Sequence, residues 1–314
     1  SYTTLVLSLI TGHKNATIES LDSALTIAAH AQQLSDSFSK IQSEVQTEEI
    51  DLSPLLTELI KLEPEFNRLA THLPNCTLCT KIVKPKKLTQ ISALLSQTTT
   101  LSTVASHFTT GEHRYLILLQ NSDELRATGG FAGSYAIATI TNGKLQPFVI
   151  EDIYDADGQF TGHIPAPAGV NEYLSSDQGM RLPDANWDPN FPTSAKQLLQ
   201  FFSFGDRGEF EGVIAITDNY FEELLTAMEP IWLPDYQLTV TPDNLTDVLR
   251  SDRSEFFAGS IQKKHLLEQF QNQLLIQLST IDVEDAVLIT LSHLHQKNIL
   301  LYSRSEELQN IITT

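Results

Sequence analysis

The chain has 314 residues, enough for two domains or one large domain with an appendage, and its 41% apolar content supports a real core. A net charge of −19 argues against a nucleic-acid surface, which needs Lys and Arg to displace counterions. The charge is uneven: residues 111–260 carry 8 basic and 23 acidic groups, −15 of the total, as either a solvated acidic surface or a rim that requires divalent cations.

No run approaches the ~20 apolar residues that span a membrane; TLVLSLI (4–10) is too short. The chain begins at Ser1 rather than methionine, as a processed or trimmed product would, which leaves room for a signal or anchor upstream. Residues 1–110 read as a helical bundle. Over 16–45, Ile18, Leu21, Leu25, Ala28, Ala29 and Leu34 recur at helical spacing, and Leu52, Leu55, Leu56, Leu59, Ile60 and Leu62 repeat the pattern over 52–73. A third helix is expected over 87–108. Between them lie Cys76 and Cys79 and the basic run KIVKPKK (81–87). With no second cysteine pair to complete a zinc site, the two thiols make either a local disulfide or a reduced structural pair.

At about residue 112 the pattern changes. RYLILLQ (114–120) reads as a buried strand. Strands over 134–140 and 145–153 follow, with an Asn142-Gly143 turn between them. Residues 154–193 are rich in Pro, Gly, Asp and Asn, and a loop of that length is usually functional or disordered. Then come a helix (193–202), a strand (211–217), helices over 218–228, 242–252, 254–280 and 283–298, a strand (299–303) and a closing helix (305–312). Alternating strands and helices predict an α/β sheet with helices on its faces. The chain therefore divides into a helical region, 1–110, and an α/β domain, 111–314.

Three clusters carry polar chemistry. NSDELRATGGFAGSY (121–135) spends about a dozen residues where a hairpin needs two to five. In it Arg126 would fork onto an oxyanion while Gly129 and Gly130 free backbone N–H donors, and Asp123 would hold a metal or orient the arginine. A loop pinned by one ion pair is the plain alternative. EDIYDADGQ (151–159) brings Asp152, Asp155 and Asp157 close together ahead of a glycine, as a loop for Ca²⁺ or Mg²⁺ would, although the full calcium spacing is missing. RLPDANWDPNFPTSA (181–195) places Arg181, Asp184 and Asp188 around Asn186 and Trp187, as a site wall or a loop locked by buried hydrogen bonds. The nine histidines are dispersed, and His293 and His295 read as surface or capping residues. No nucleophile elbow, zinc-helix or phosphate-loop motif is present.

YLILLQNSDELRATGGFAGSY, IYDADGQ, DANWDPNFPTSA and GVIAITDNYFEELL, in this order over roughly residues 112–250, resemble the bacterial family catalogued as domain of unknown function 4012. That resemblance implies an extracellular cell-envelope protein, near the membrane through an anchor outside this chain. The order of parts is also similar to the LytR-CpsA-Psr phosphotransferases, which attach glycopolymers to peptidoglycan from a polyprenyl-pyrophosphate carrier. That likeness implies a LytR-CpsA-Psr-like α/β domain. In it Arg126, Arg250, Arg253 and Lys264 would take the pyrophosphate, joined by Gly129, Gly130 and Arg181 as read from the loops themselves. Asp123 and Arg126 would be catalytic, and Mg²⁺ would sit on Asp123, Asp152, Asp155 and Asp157. The partner would be a cell-wall glycan or polyprenyl-phosphate ligand. The chain departs from that pattern: the acidic IEDIYDADG stands where those enzymes carry an arginine, and RSDR (250–253) differs from their R-x-R. A non-catalytic surface scaffold, with the same motifs locking loops, is the competing reading.

Overall fold

The computed structural model describes residues 14–44, 49–72, 98–158, 162–175, 179–204, 207–250, 261–278 and 280–313. The cysteine pair, the basic run and Arg253 lie outside these residues. No helix among them is long and apolar enough to cross a membrane. The chain forms two compact units. The smaller comprises Ser1–Ile41, Asp51–Glu112 and Thr141–Lys144, and the larger Gln42–Ile50, His113–Ile140 and Leu145–Thr314.

The smaller unit is helical, with α1 (Lys14–Glu44), α2 (Ser53–His72) and a helical stretch over 98–108. Leu56, Leu62 and Leu69 of α2 are buried. Its Glu58 accepts from Lys61 Nζ at 2.7 Å and lies 2.7 Å from His30 Nδ1 of α1. Burial alone would raise the Glu58 carboxyl, but the hydrogen bonds from Lys61 and His30 outweigh it and hold it below the usual range. The apolar stripe expected on α1 faces the other way: Ile18, Leu21 and Leu25 are exposed, while Ser20 and Ser23 are buried. Small polar residues let the helix approach its neighbours closely, and spacing alone does not say which stripe does so.

The larger unit is a mixed α/β structure. Its strands are β1 (Glu112–Asn121), β2 (Phe131–Thr141), β3 (Lys144–Leu145), β4 (Glu151–Asp152), β5 (Gly212–Thr217) and β8 (Ile299–Ser303). They run in the order β3-β2-β1-β5-β8, and β4 also pairs with β2. β1 and β5 are parallel, from Tyr115↔Gly212 to Gln120↔Thr217, whereas β8 runs antiparallel to β5. The period-two alternation of β1 sends Leu116 and Leu118 to one face and Ile117 and Leu119 to the other. The first face packs on α4 (Phe191–Phe204) through Leu198, Leu199 and Phe202. The second meets Leu267 of α7 (Ile261–Leu278). Such two-sided cover is why the strand reads as continuously apolar.

Three short or late elements complete the unit. α3 (Ile153–Asp157) is capped by Asp152, and α5 (Asp218–Thr226) follows β5 directly. A two-stranded ribbon, β6 (Ile231–Leu233) and β7 (Leu238–Val240), leads through α6 (Leu245–Arg250) towards α7. It builds a second core from Ile231, Leu233, Val240, Leu245, Phe270 and Leu274. α8 (Val283–His295) and α9 (Glu306–Thr313) flank β8. The strand expected over 145–153 is broken. Between β3 and β4 the chain keeps a backbone bond to β2, Gln146 N to Thr139 O at 2.8 Å, and is also held by a side chain: Ile150 N donates to Gln271 Oε1 at 3.0 Å, and Gln271 Nε2 donates to Phe148 O at 2.6 Å.

Candidate functional site

Parallel strands end with their carbonyl ends on the same side, and the space beyond those ends is where open α/β sheets take ligands. Here β1 ends at Gln120 and Asn121 beside Thr217 and Asp218. Beyond them opens a cleft of about 950 Å³, within the range of small-molecule sites. The arginine loop, α3, the 181–184 segment and α6 contribute to its wall.

The glycine pair in that loop serves a close approach. A Cβ on Gly130 would stand 2.6 Å from Asn121 C and nearer still to Asn121 O, so the loop folds back onto the end of its own strand. Gly129 has φ +111, which L side chains rarely adopt. The turn is fixed from beneath by two buried amides. Gln120 Nε2 donates to Thr128 Oγ1 at 2.7 Å and Gly130 O at 2.9 Å, and Asn186 Nδ2 donates to the same atoms at 2.9 and 2.8 Å. A third brace is Asp218, whose Oδ1 accepts from Ser122 N at 3.0 Å while its Oδ2 accepts from Thr246 Oγ1 at 3.1 Å.

Arg126 lines the cleft with its side chain 12% exposed. Its Nη2 donates to Glu124 Oε1 at 2.9 Å and lies 3.5 Å from Asp184 Oδ1. Its Cζ lies over the Phe131 ring, 5.3 Å from the centroid. Its Nε–H is buried with no acceptor. Burial raises the Asp184 carboxyl above its ordinary value; the charges of Asp157 and Glu124 add to this, and attraction to Arg126 only partly offsets it. Arg181 is held by Asp157: Nε donates to Oδ1 at 3.2 Å, Nη2 bonds Oδ2, and Leu182 N donates to Oδ1 at 2.9 Å. Asp157 is 1% exposed, and its hydrogen bond and charge raise Arg181 further above an already high value.

The residues expected from sequence divide as follows. Arg126, Arg181 and Asp157 line the cleft, and Gly130 packs behind it. Asp123 is exposed, its N–H donating to Asn121 Oδ1 at 2.9 Å, and it is not part of the lining. Asp152 caps α3 through Tyr154 N at 2.9 Å, and Asp155 is exposed; neither lines the cleft. The four carboxylates expected to share a metal are thus not gathered in the cleft, and the one that lines it already binds Arg181. Lys264 is exposed on α7, 3.9 Å from Glu268 of its own helix, and is also outside the lining. Arg250 ends α6, and its side chain lies outside the described residues. Of the third cluster, Arg181 and Asp184 are in the wall and Asn186 is the buried brace.

Sequence reasoning passed over Phe131, Tyr154 and Asp247, which also line the cleft. It also passed over a cluster elsewhere, where Arg207 Nη1 donates to Glu151 Oε2 at 2.8 Å and Tyr135 OH bonds both groups. His293, expected as a surface or capping residue, stands in the last turn of α8 and is buried, with Nε2 2.7 Å from Glu223 Oε2 and Nδ1 3.0 Å from Asn298 Nδ2.

Residues 110–253 match the family model described as "Protein of unknown function (DUF4012)", the family that the motifs of this segment resemble. No curated protein matches the chain. Among solved structures it is similar to B. subtilis TagV at 10% identity and a TM-score of 0.34, covering 65% of this chain and 80% of that one. It is also similar to the Lin1025 protein from Listeria innocua at 13% identity and a TM-score of 0.33, covering 64% and 77%. The likeness is a distant one, too loose to carry residue roles across.

Proposed function

We propose that the larger unit is the ligand-binding part of an extracellular protein of the bacterial cell envelope. Its cleft would take a phosphate-linked glycan or a polyprenyl-phosphate carrier. The family resemblance supports the location. The observation that supports the ligand is Arg126, which faces the cleft with a buried Nε–H that has no acceptor and an ion partner, Glu124, that is 46% exposed. An unmet buried donor costs about 1–3 kcal/mol, and a phosphoryl oxygen that reached it would recover part of that. Glu124 can swing into water to make room.

Among the described residues the lining carries five carboxylates (Glu124, Asp157, Asp184, Asp218 and Asp247) against two guanidinium groups. A bare pyrophosphate would be repelled, so it would enter as its Mg²⁺ complex. Asp184, a hard oxygen donor 3.5 Å from Arg126, suits that cation better than the set expected from sequence. Mg²⁺ would supply the positive charge that the arginine count lacks. The scaffold reading keeps its own support: both arginines described in the cleft already lie on carboxylates, Arg126 on Glu124 and Arg181 on Asp157.

A thermal-shift titration with a polyprenyl-pyrophosphate analogue, with and without Mg²⁺, separates the two. A rise in melting temperature that needs the metal and disappears in Arg126→Ala is the expected result. No metal-dependent rise in the wild type leaves the scaffold reading standing and removes the phosphate one.

A further inference from the structure

We propose that α8 is a self-association surface, on which a second copy of this chain packs antiparallel through Val287, Leu288 and Leu291. None of these residues lines the cleft, so the surface stands whether or not the cleft takes phosphate. The inner face of α8 is occupied. His293 is buried against Glu223 and Asn298, and Thr290 Oγ1 lies 3.0 Å from Tyr220 OH. A surface helix ordinarily turns polar residues outwards. On α8, Val287, Leu288 and Leu291 are instead 48%, 56% and 56% exposed. Residues three and four apart share a helix face, so Asp285, Leu288, Leu291 and His295 follow one another along it, with Val287 beside the leucines. Single exposed leucines are ordinary, whereas a contiguous apolar patch marks an interaction surface.

Charge says which partner fits. Exposed Asp285 stands at the N-terminal end of the patch, and exposed His295 and Lys297 at its C-terminal end. A copy of the same helix run antiparallel, with the two-fold axis between Leu288 and Leu291, sets Leu288 against Leu291 of the partner subunit. Asp285 and the partner subunit's His295 then differ by only about 1.5 Å in height along the helix. Symmetry makes each such contact twice, so both ends of the patch meet the opposite charge. A parallel pairing would set like charge on like. The segment that carries α8 is also one where self-repulsion is small: residues 261–314 carry 4 basic and 6 acidic groups, against 8 and 23 over residues 111–260. The leucines supply the attraction, and the charges set the direction. One helix face buries little area, so the association is weak and depends on concentration.

The test is sedimentation equilibrium of the full chain over a range of concentrations. In the wild type the mass is expected to rise from one chain towards two. Leu288→Lys should abolish that rise without changing the melting temperature, measured at the lowest concentration; should it unfold the protein, Leu291→Lys takes its place. Asp285→Lys should weaken association about fivefold or more, because two exposed pairs turn repulsive by symmetry. Adding His295→Asp and Lys297→Asp to that chain should restore it, since both ends are then reversed together. A wild type that stays a single chain up to its solubility limit overturns the proposal. A dimer that survives the lysine substitution in a folded variant also overturns it, because the contact then lies on another face. If the triple variant does not recover, the antiparallel pairing is wrong.

Discussion

Gly130→Ala tests why the arginine loop needs its second glycine. The added methyl would lie 2.6 Å from Asn121 C and 3.0 Å from Ser122 N, and closer than either to Asn121 O. A relaxed carbon contact is about 3.5–4.0 Å, so something must move by roughly 1 Å. All three obstacles are backbone at the end of β1, so no side chain can give way. The loop must lift, and Gly130 O leaves Gln120 Nε2 and Asn186 Nδ2, now 2.9 and 2.8 Å away. Both amides are buried, and each unmet donor costs about 1–3 kcal/mol. A loss of about 3 kcal/mol or more is expected in urea denaturation. Gly133→Ala is the control three residues on: its Cβ would meet only the Phe131 ring, at 3.6 Å. That change should stay within about 1 kcal/mol, the scale of an unstrained Gly→Ala exchange. A Gly130→Ala loss below 1 kcal/mol, or equal losses for the two, refutes the packing argument.

Gln271→Leu should cost about 2–4 kcal/mol by denaturant titration, because it leaves Ile150 N and Phe148 O without the partners that replace a strand neighbour; a neutral result would mean the 146–150 segment finds other partners. Asp184→Asn should raise the melting temperature at pH 7. Burial lifts the native Asp184 carboxyl above its unfolded value near 3.8, so the folded state prefers the protonated form and loses stability as pH rises through the folded value. The gap between variant and wild type should therefore shrink on acidification, and a gap that grows in acid contradicts the assigned direction.

How much of this was legible in the sequence depended on how far apart the interacting residues are. RYLILLQ gave away β1, and Asn142-Gly143 gave away a turn whose two residues have φ of 50° and 80°. Both signals are local. The 145–153 strand was misread because backbone groups at Phe148 and Ile150 are met by a glutamine side chain 121 residues later in the chain than Ile150, in place of a strand neighbour. The β6–β7 ribbon was passed over: its Pro234–Tyr236 turn closes on Gln237 at φ 47°, without the glycine that flags most hairpins. On α1 the period was right and the buried side wrong, since leucine spacing cannot tell a core face from an exposed one.

The site shows the same limit more sharply. NSDELRATGGFAGSY announced a strained loop with an arginine, and that much is local chemistry. Whether Arg126 waits for an anion or is already held depends on Glu124, two residues away and readable, and on Asp184, fifty-eight residues away and not. The same holds for Asp157, which looked like a metal ligand beside Asp155 until Arg181 closed on it from twenty-four residues downstream. An acidic middle segment facing a few arginines therefore has two physical meanings. Carboxylates far from the arginines leave them free for phosphate, whereas carboxylates folded onto them turn the cleft into an ordered array of donors and acceptors. In the described part of the cleft the second arrangement holds for both arginines. On the phosphate reading proposed above, the ligand would therefore have to draw Arg126 away from Glu124 and bring a cation with it, which is why the metal dependence of the thermal shift, and not the shift alone, is the deciding observation.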